Sequence, residues 1–197
     1  MRYAVGVDEP LGRRERKKAQ TRKALADAAL ELFLARGYDR VGVKDVADAA
    51  DVSVTTLFKY FPSKEALVFD QDEDVEEALV AAVRDRPAGR SVPEALREHL
   101  RAELADRPGQ LEIEVFKDLI ERTPALHDYG SRMWLRHETA LAQAIAADIG
   151  VPADDVRCAV LARYALDAVQ VARRYPDAPD RIDQIFDLLE HGWSAGG

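Results

Sequence analysis

Seven basic residues crowd into one short stretch of this chain: Arg13, Arg14, Arg16, Lys17, Lys18, Arg22 and Lys23, with Glu15 alone opposing them. Long, permanently charged side chains at this density neutralise phosphates; they are poorly suited to moving protons. A second set follows downstream, made of Lys44, Ser53, Thr55, Thr56, Lys59, Tyr60 and Lys64. Short hydroxyls can exchange hydrogen bonds with base edges, and the Thr methyls can touch thymine. Lysines and tyrosine can reach bases or phosphates. Other reactive groups are not arranged for catalysis. The sequence holds no phosphate-cradling Gly loop, no HExxH and no Gly-x-Ser-x-Gly, and Asp154 and Asp155 sit where a helix would start and need a cap. Cys158 is the only cysteine, too few for a disulfide framework or a thiolate zinc site. His127 and His137 fall on different faces of a helix, which is not a metal-ligand spacing. No enzyme activity, cofactor or metal is expected.

The charge is unevenly spread. The 197 residues carry 28 Lys+Arg against 36 Asp+Glu, a net −8 that by itself argues against nucleic acid. Residues 1–62, however, hold 12 bases and nine acids, a net +3, which leaves −11 for residues 63–197. Such asymmetry suits a chain with one end on a polyanion and the other elsewhere. No apolar stretch nears the roughly 18 residues that span a bilayer, and the N-terminus lacks a secretory pattern. A cytoplasmic protein without membrane partners is expected.

The apolar spacing predicts which elements position these groups. Residues 1–12 have no period and read as a disordered tail. Ala24, Leu25, Ala28, Ala29, Leu32 and Phe33 recur at helical spacing across Arg13–Arg36, with Gly37 as the C-terminal stop. Short helices fit Val43–Ala50 and Val54–Phe61, the second capped by Ser53. Pro62 ends it, and Ser63 opens a longer helix towards Arg84. Pro- and Gly-rich breaks then separate helices at about 92–106, 110–122, 125–149, 153–175 and 180–194. With no strand-like alternation, the fold class is all-α with about nine helices. The expected organisation is a tail at 1–12, a helix-turn-helix domain at 13–62, and an effector-binding and dimerisation domain at 63–197.

The segment VKDVADAADVSVTTLFKYF from Val43 to Phe61 carries the sharpest signal. Val46, Ala50, Val52, Leu57 and Tyr60 stand where two crossed helices share a small core. Ala47 stands at their close approach. The turn centres on Asp51, which must take a left-handed backbone that Gly prefers and Asp tolerates. In this arrangement Ser53 starts a two-turn helix whose N-terminal half lies against base edges in the major groove. Lys44 and Lys64 open neighbouring helices, a good setting for phosphate, and Arg13, Arg14, Lys17 and Lys18 follow the backbone or the flanking minor groove.

Over about residues 13–69 the chain resembles the TetR family of one-component transcriptional repressors. The resemblance is carried by RRERKKAQTRKALADAALELFLARGYDRVGVKDVA, the turn AADVS and TTLFKYFPSKEALV. The remainder is similar only in size and helix count. The resemblance implies a homodimeric repressor on a palindromic operator of double-stranded DNA, released by a small-molecule effector held among its fourth to seventh helices. It also implies that Phe58 replaces a Tyr whose hydroxyl meets a phosphate; lacking that group, Phe58 is expected to pack.

The last two helices support the dimer from composition alone. Val160, Leu161, Tyr164, Ala165, Ala168, Val169, Val171 and Ala172 cover roughly 200° at about 100° per residue, about twice what a surface helix needs. Ile182, Ile185, Phe186, Leu188, Leu189 and Trp193 form a similar broad face. The interface expected from them comprises Val160, Tyr164, Ala168, Val171, Ile182, Ile185, Phe186, Leu189 and Trp193, in a four-helix bundle about a two-fold axis. Phe116, Met133, Trp134 and His137 are the candidates for an effector site. The rival reading is a DNA-binding regulator, protein-responsive or architectural, without a small-molecule effector.

Overall fold

The computed structural model describes residues 12–105 and 110–192, the side chains of 110–114 excepted. Among them every regular element is helical: α1 (Arg13–Arg36), α2 (Val43–Ala49), α3 (Val54–Tyr60), α4 (Asp72–Arg84), α5 (Val92–Ala105), α6 (Gln110–Arg122), α7 (Pro124–Ile149), α8 (Val156–Ala172) and α9 (Ala178–His191). Short 3-10 turns lie at Tyr38–Arg40 and Glu65–Leu67. The chain divides into two compact units, one ending at Asp70 and the other beginning at Gln71, a later division than the one expected at Pro62. The expected tail at 1–12 lies outside the described residues except for Gly12.

In the first unit, α1 buries Leu25, Ala26, Ala29 and Phe33, all in its second half. Gly37 ends it at φ +84°, and its N–H bonds the Phe33 carbonyl at 2.9 Å. Alpha helices α2 and α3 pack as expected: Val46, Ala47 and Leu57 are fully buried, while Ala50, Val52 and Tyr60 are half-buried at the rim. Asp51 is the one described residue other than Gly with positive φ, at +52°. The Val52 N–H then reaches the Ala47 carbonyl at 2.9 Å and closes the turn.

The helix expected from Ser63 to Arg84 is broken. The Ser63 hydroxyl does accept from the Ala66 N–H at 3.3 Å, but only a 3-10 turn follows before α4 starts at Asp72. Two forces explain the break. The guanidinium of Arg22 takes the Asp70 carbonyl, an acceptor that a continuous helix would spend on its own backbone. Asp72, Glu73 and Asp74 then form an acidic first turn favoured by the helix dipole. Ala66, Leu67 and Val68 remain buried in the first unit.

The second unit is a helical bundle in which α7 packs on α4, α6 and α8, and α5 packs on α4, α8 and α9. Its core includes Leu79, Val83, Leu96, Leu100, Leu141, Ile145, Ala162, Ala165, Ile182 and Phe186. Pro124 opens α7 and Gly150, at φ +72°, closes it. Asp155 caps α8 by accepting from the Arg157 N–H at 2.9 Å. The Arg157 guanidinium beside it, with that backbone bond, holds the Asp155 carboxyl down at about 2. Arg97 bridges α5 to α9 through Asp183 and Asp187, at 2.8 and 2.9 Å.

Candidate nucleic-acid interface

The reading helix is built locally. The Ser53 hydroxyl accepts from the Thr56 N–H at 3.1 Å and shares a 2.8 Å hydrogen bond with the Thr56 hydroxyl. These two side chains therefore hold the start of α3. Leu57 anchors the buried side, and Thr55, Phe58 and Lys59 are exposed. Tyr60 is half-buried, its carbonyl accepting from Arg22 at 3.3 Å. Thr55 and Lys59 are thus free to reach outwards, whereas Ser53, Thr56 and Tyr60 first serve the fold. Phe58 corrects the expectation that it packs: 49% of it stays exposed, because Leu57, not Phe58, occupies the side facing α2.

The arm of cations is equally open. Arg13, Arg14, Lys17 and Lys18 are exposed on a stretch of α1 that buries nothing, and no ion pair engages them among the described residues. Lys44 is exposed at the start of α2, with its ammonium 2.6 Å from Asp48 one turn on. That hydrogen bond raises the Lys44 pKa. Both partners are largely solvated, so the pair is weak and Lys44 can exchange it for a phosphate.

Lys64 is different. Its Nζ donates to the Tyr38 carbonyl at 2.6 Å, lies 3.8 Å from the centre of the Tyr38 ring, and is 5.4 Å from that of Phe33. Burial pushes its pKa down. The amine expected at a phosphate is folded into a cation–π site instead. The Tyr38 hydroxyl meanwhile donates to Glu65 at 2.8 Å, so residues 38 and 64–65 form one internal clasp. Arg22 was legible only as part of the basic run. Its work is to hold two carbonyls and cover the Phe61 ring at 4.8 Å, and no local pattern announces contacts so far along the chain.

In the second unit, the expected interface residues that are described separate into three groups. Val160 and Val171 are exposed, as are Val156 (70% exposed) at the start of α8, Tyr175 just beyond its end and Leu188 on α9. Tyr164, Ile185 and Leu189 are half-buried, and the Tyr164 hydroxyl donates to the Ile185 carbonyl. Ala168, Ile182 and Phe186 are a correction: they are buried within their own unit, since α8 and α9 need those faces for α5, α7 and each other. Trp193 lies outside the described residues. A shallow apolar concavity of about 350 Å³ is lined by Pro93, Val156, Arg157, Val160, Leu161 and Leu189.

The candidate effector residues lie along α6 and α7. Phe116 and Trp134 are half-buried and Met133 is buried. His137 is 1% exposed, its Nε2 lies 2.7 Å from Asp72 at the start of α4, and its ring meets Trp134 edge-on at 5.6 Å. Arg136 holds the other oxygen of the Asp72 carboxylate. Among the described residues the buried Nδ1 of His137 has no hydrogen-bond partner. Cys158 is buried and its thiol pKa is raised by that burial. Asp187, Glu190 and His191 place donor atoms within 4.8 Å of one another at the exposed end of α9, as acids a helical turn apart commonly do.

Residues 25–70 match the bacterial regulatory proteins of the tetR family. Over 152 residues, 73% of this chain and 67% of the relative, the sequence is 38% identical to the HTH-type transcriptional regulator TcmR of Streptomyces glaucescens. Among solved structures, GusR of Salmonella enterica shares the fold with a TM-score of 0.58 at 20% identity, covering 94% of this chain and 97% of that one. FadR of Thermus thermophilus, a TetR family transcriptional repressor solved in complex with lauroyl-CoA, has a TM-score of 0.52 at 27% identity, covering 89% and 96%.

Proposed function

The chain belongs to the TetR family of transcriptional regulators, and from that premise we infer that it works as a homodimeric repressor on a palindromic operator. The observation that carries this reading is the open cationic stretch of α1 joined to a rigid α2–α3 pair with Thr55 and Lys59 facing outwards. Thr55 contacts base edges, Lys59 contacts a base or a phosphate, and Arg13, Arg14, Lys17, Lys18 and Lys44 neutralise the backbone. One short helix discriminates sequence poorly. Two heads one helical turn apart, about 34 Å, read both halves of a palindrome. The exposed valines of α8, Val156, Val160 and Val171, support the pairing, because water-exposed aliphatic side chains along one helix gain by meeting their own copy.

Release by a small molecule is supported by the second unit. Met133 and His137 are buried beside the half-buried Trp134, so an effector there would displace part of this packing to meet apolar groups and the His137 ring. The related FadR was solved with an acyl-CoA, a ligand of mixed apolar and polar character. Such a ligand acts by binding the non-operator arrangement more tightly.

The test is an electrophoretic titration on the DNA upstream of the protein's own gene. Specific retardation is expected, and six phosphate contacts would weaken it about a thousandfold between 50 and 200 mM salt. Failure to retard any genomic duplex at low salt would overturn the reading. A thermal-shift screen of apolar metabolites then addresses release, since an effector stabilises by RT ln(1 + [L]/Kd); silence across a broad library favours a regulator without one.

A further inference from the structure

Phe58 occupies an uncomfortable place. Among the described residues up to Asp70, only Leu34 and Phe58 of the large apolar side chains remain strongly exposed. The same unit buries Phe33, Phe61, Tyr38 and Leu57, so it has a core that leaves Phe58 out. At about 100° per residue, Phe58, Thr55 and Lys59 fall on one side of α3, opposite the buried Leu57. The outward face of the reading helix is therefore a hydroxyl with a methyl, a bare aromatic ring and an ammonium, side by side.

We propose that Phe58 recognises thymine by packing its ring on the base's 5-methyl group in the major groove, so that the operator half-site carries a thymine opposite the middle of α3. This rests on the reading of the chain as a DNA-binding regulator. The ring has no donor or acceptor and gains nothing from phosphate oxygens or the polar edges of guanine, cytosine and adenine. The thymine methyl is the apolar feature of the major-groove floor, and phenylalanine is among the side chains that contact it. The neighbours agree with that depth. Thr55 sits one turn nearer the start of α3 with base-reading groups of its own, and Lys59 has the length to reach the strand backbone. The chemistry is sequence-specific, unlike a ring laid on deoxyribose, which any nucleotide would satisfy.

The test uses the full chain and duplexes that it selects from a randomised library. Each thymine of the selected half-site is replaced in turn by deoxyuridine, which removes only the methyl. At one symmetric position this should weaken the wild type about fourfold per half-site, the effect of losing one buried carbon. F58A should bind the thymine duplex more weakly and show no difference between thymine and uracil at that position. F58L, which keeps apolar surface, should retain part of the difference. Melting curves matching the wild type, expected for so exposed a residue, exclude a folding defect. Equal thymine-to-uracil ratios for wild type and F58A at every position would overturn the Phe58 contact, as would a uniform loss with F58A that ignores the methyl, the mark of sugar contact. A wild-type chain that selects no duplex would instead overturn DNA binding itself.

Discussion

The two units leave opposite things uncovered. The head that ends at Asp70 exposes cations, hydroxyls and a single aromatic ring, over a small core that includes Phe33, Leu57 and Phe61. The bundle that begins at Gln71 is acidic and exposes aliphatic side chains along α8, at Val156, Val160 and Val171. A surface rich in charge and short donors suits a hydrated, polyanionic partner whose binding weakens with salt. A surface of aligned valines suits a dry partner with the same pattern, and salt should matter little to it.

The sharpest way to break this contrast is to put a charge into the valine strip. Val160→Asp should shift the protein from dimer to monomer at micromolar concentration in sedimentation, with about 3 kcal/mol lost from association, because a carboxylate would be buried without a partner. DNA affinity should fall with it, as each head then reads alone. A wild-type chain that sediments as a monomer would remove the contrast altogether. Next in size is Lys64→Ala, which separates an inward cation from outward ones. Loss of its carbonyl bond and its place over Tyr38 should cost about 2 kcal/mol of stability, measured by denaturant unfolding, with the salt slope of DNA binding unchanged. Lys17→Ala should do the reverse: no loss of stability, and a salt slope smaller by about one unit. Were Lys64→Ala to lower the slope instead, its amine would belong with the arm.

Smaller effects sharpen the picture inside each unit. Asp51→Gly should raise stability by about 0.5–1 kcal/mol by relieving the left-handed backbone at φ +52°, whereas Asp51→Val should lower it. In the bundle, burial depresses the pKa of His99 on α5. The folded state therefore binds that proton less readily than the unfolded chain, and its stability falls as pH drops below the ordinary histidine value near about 6.5. His99→Gln should flatten that part of the stability profile between about pH 7 and 5; an unchanged profile would show that another group carries it.

Much of the head could be read in advance because its rules are local. The α1 boundaries, the Ser53 cap and the left-handed Asp51 follow from residue types within a few positions of one another. What escaped was settled by distance. Lys64 is expected at a phosphate and Arg22 stands out only as part of the basic run, yet partners 26 to 48 positions away claim them, and Arg22 also breaks the helix expected to run on from Ser63. Phe58 is expected to pack because it lacks the hydroxyl of the family's tyrosine, and the rotation of α3 about Leu57 turns it out. The bundle was legible in helix number and poorly legible in faces. A wide apolar arc on α8 cannot say which part meets α7 and which meets another molecule, and Ala168, Ile182 and Phe186 went to the core. The match at residues 25–70 begins where α1 first becomes buried, and of the basic run before it Arg22 is tied to the rest of the head through Tyr60, Phe61 and Asp70.

That arm has a thermodynamic consequence. Over Arg13–Gln20 it is exposed on every side with only its own backbone to sustain it, and so short a helix standing alone in water is marginal at best. Adjacent positive charges push it further towards fraying. A duplex that cancels those charges would lengthen the helix outwards from Thr21, making the amide-exchange rates of residues 13–20 a direct gauge of whether the protein is seated on its site.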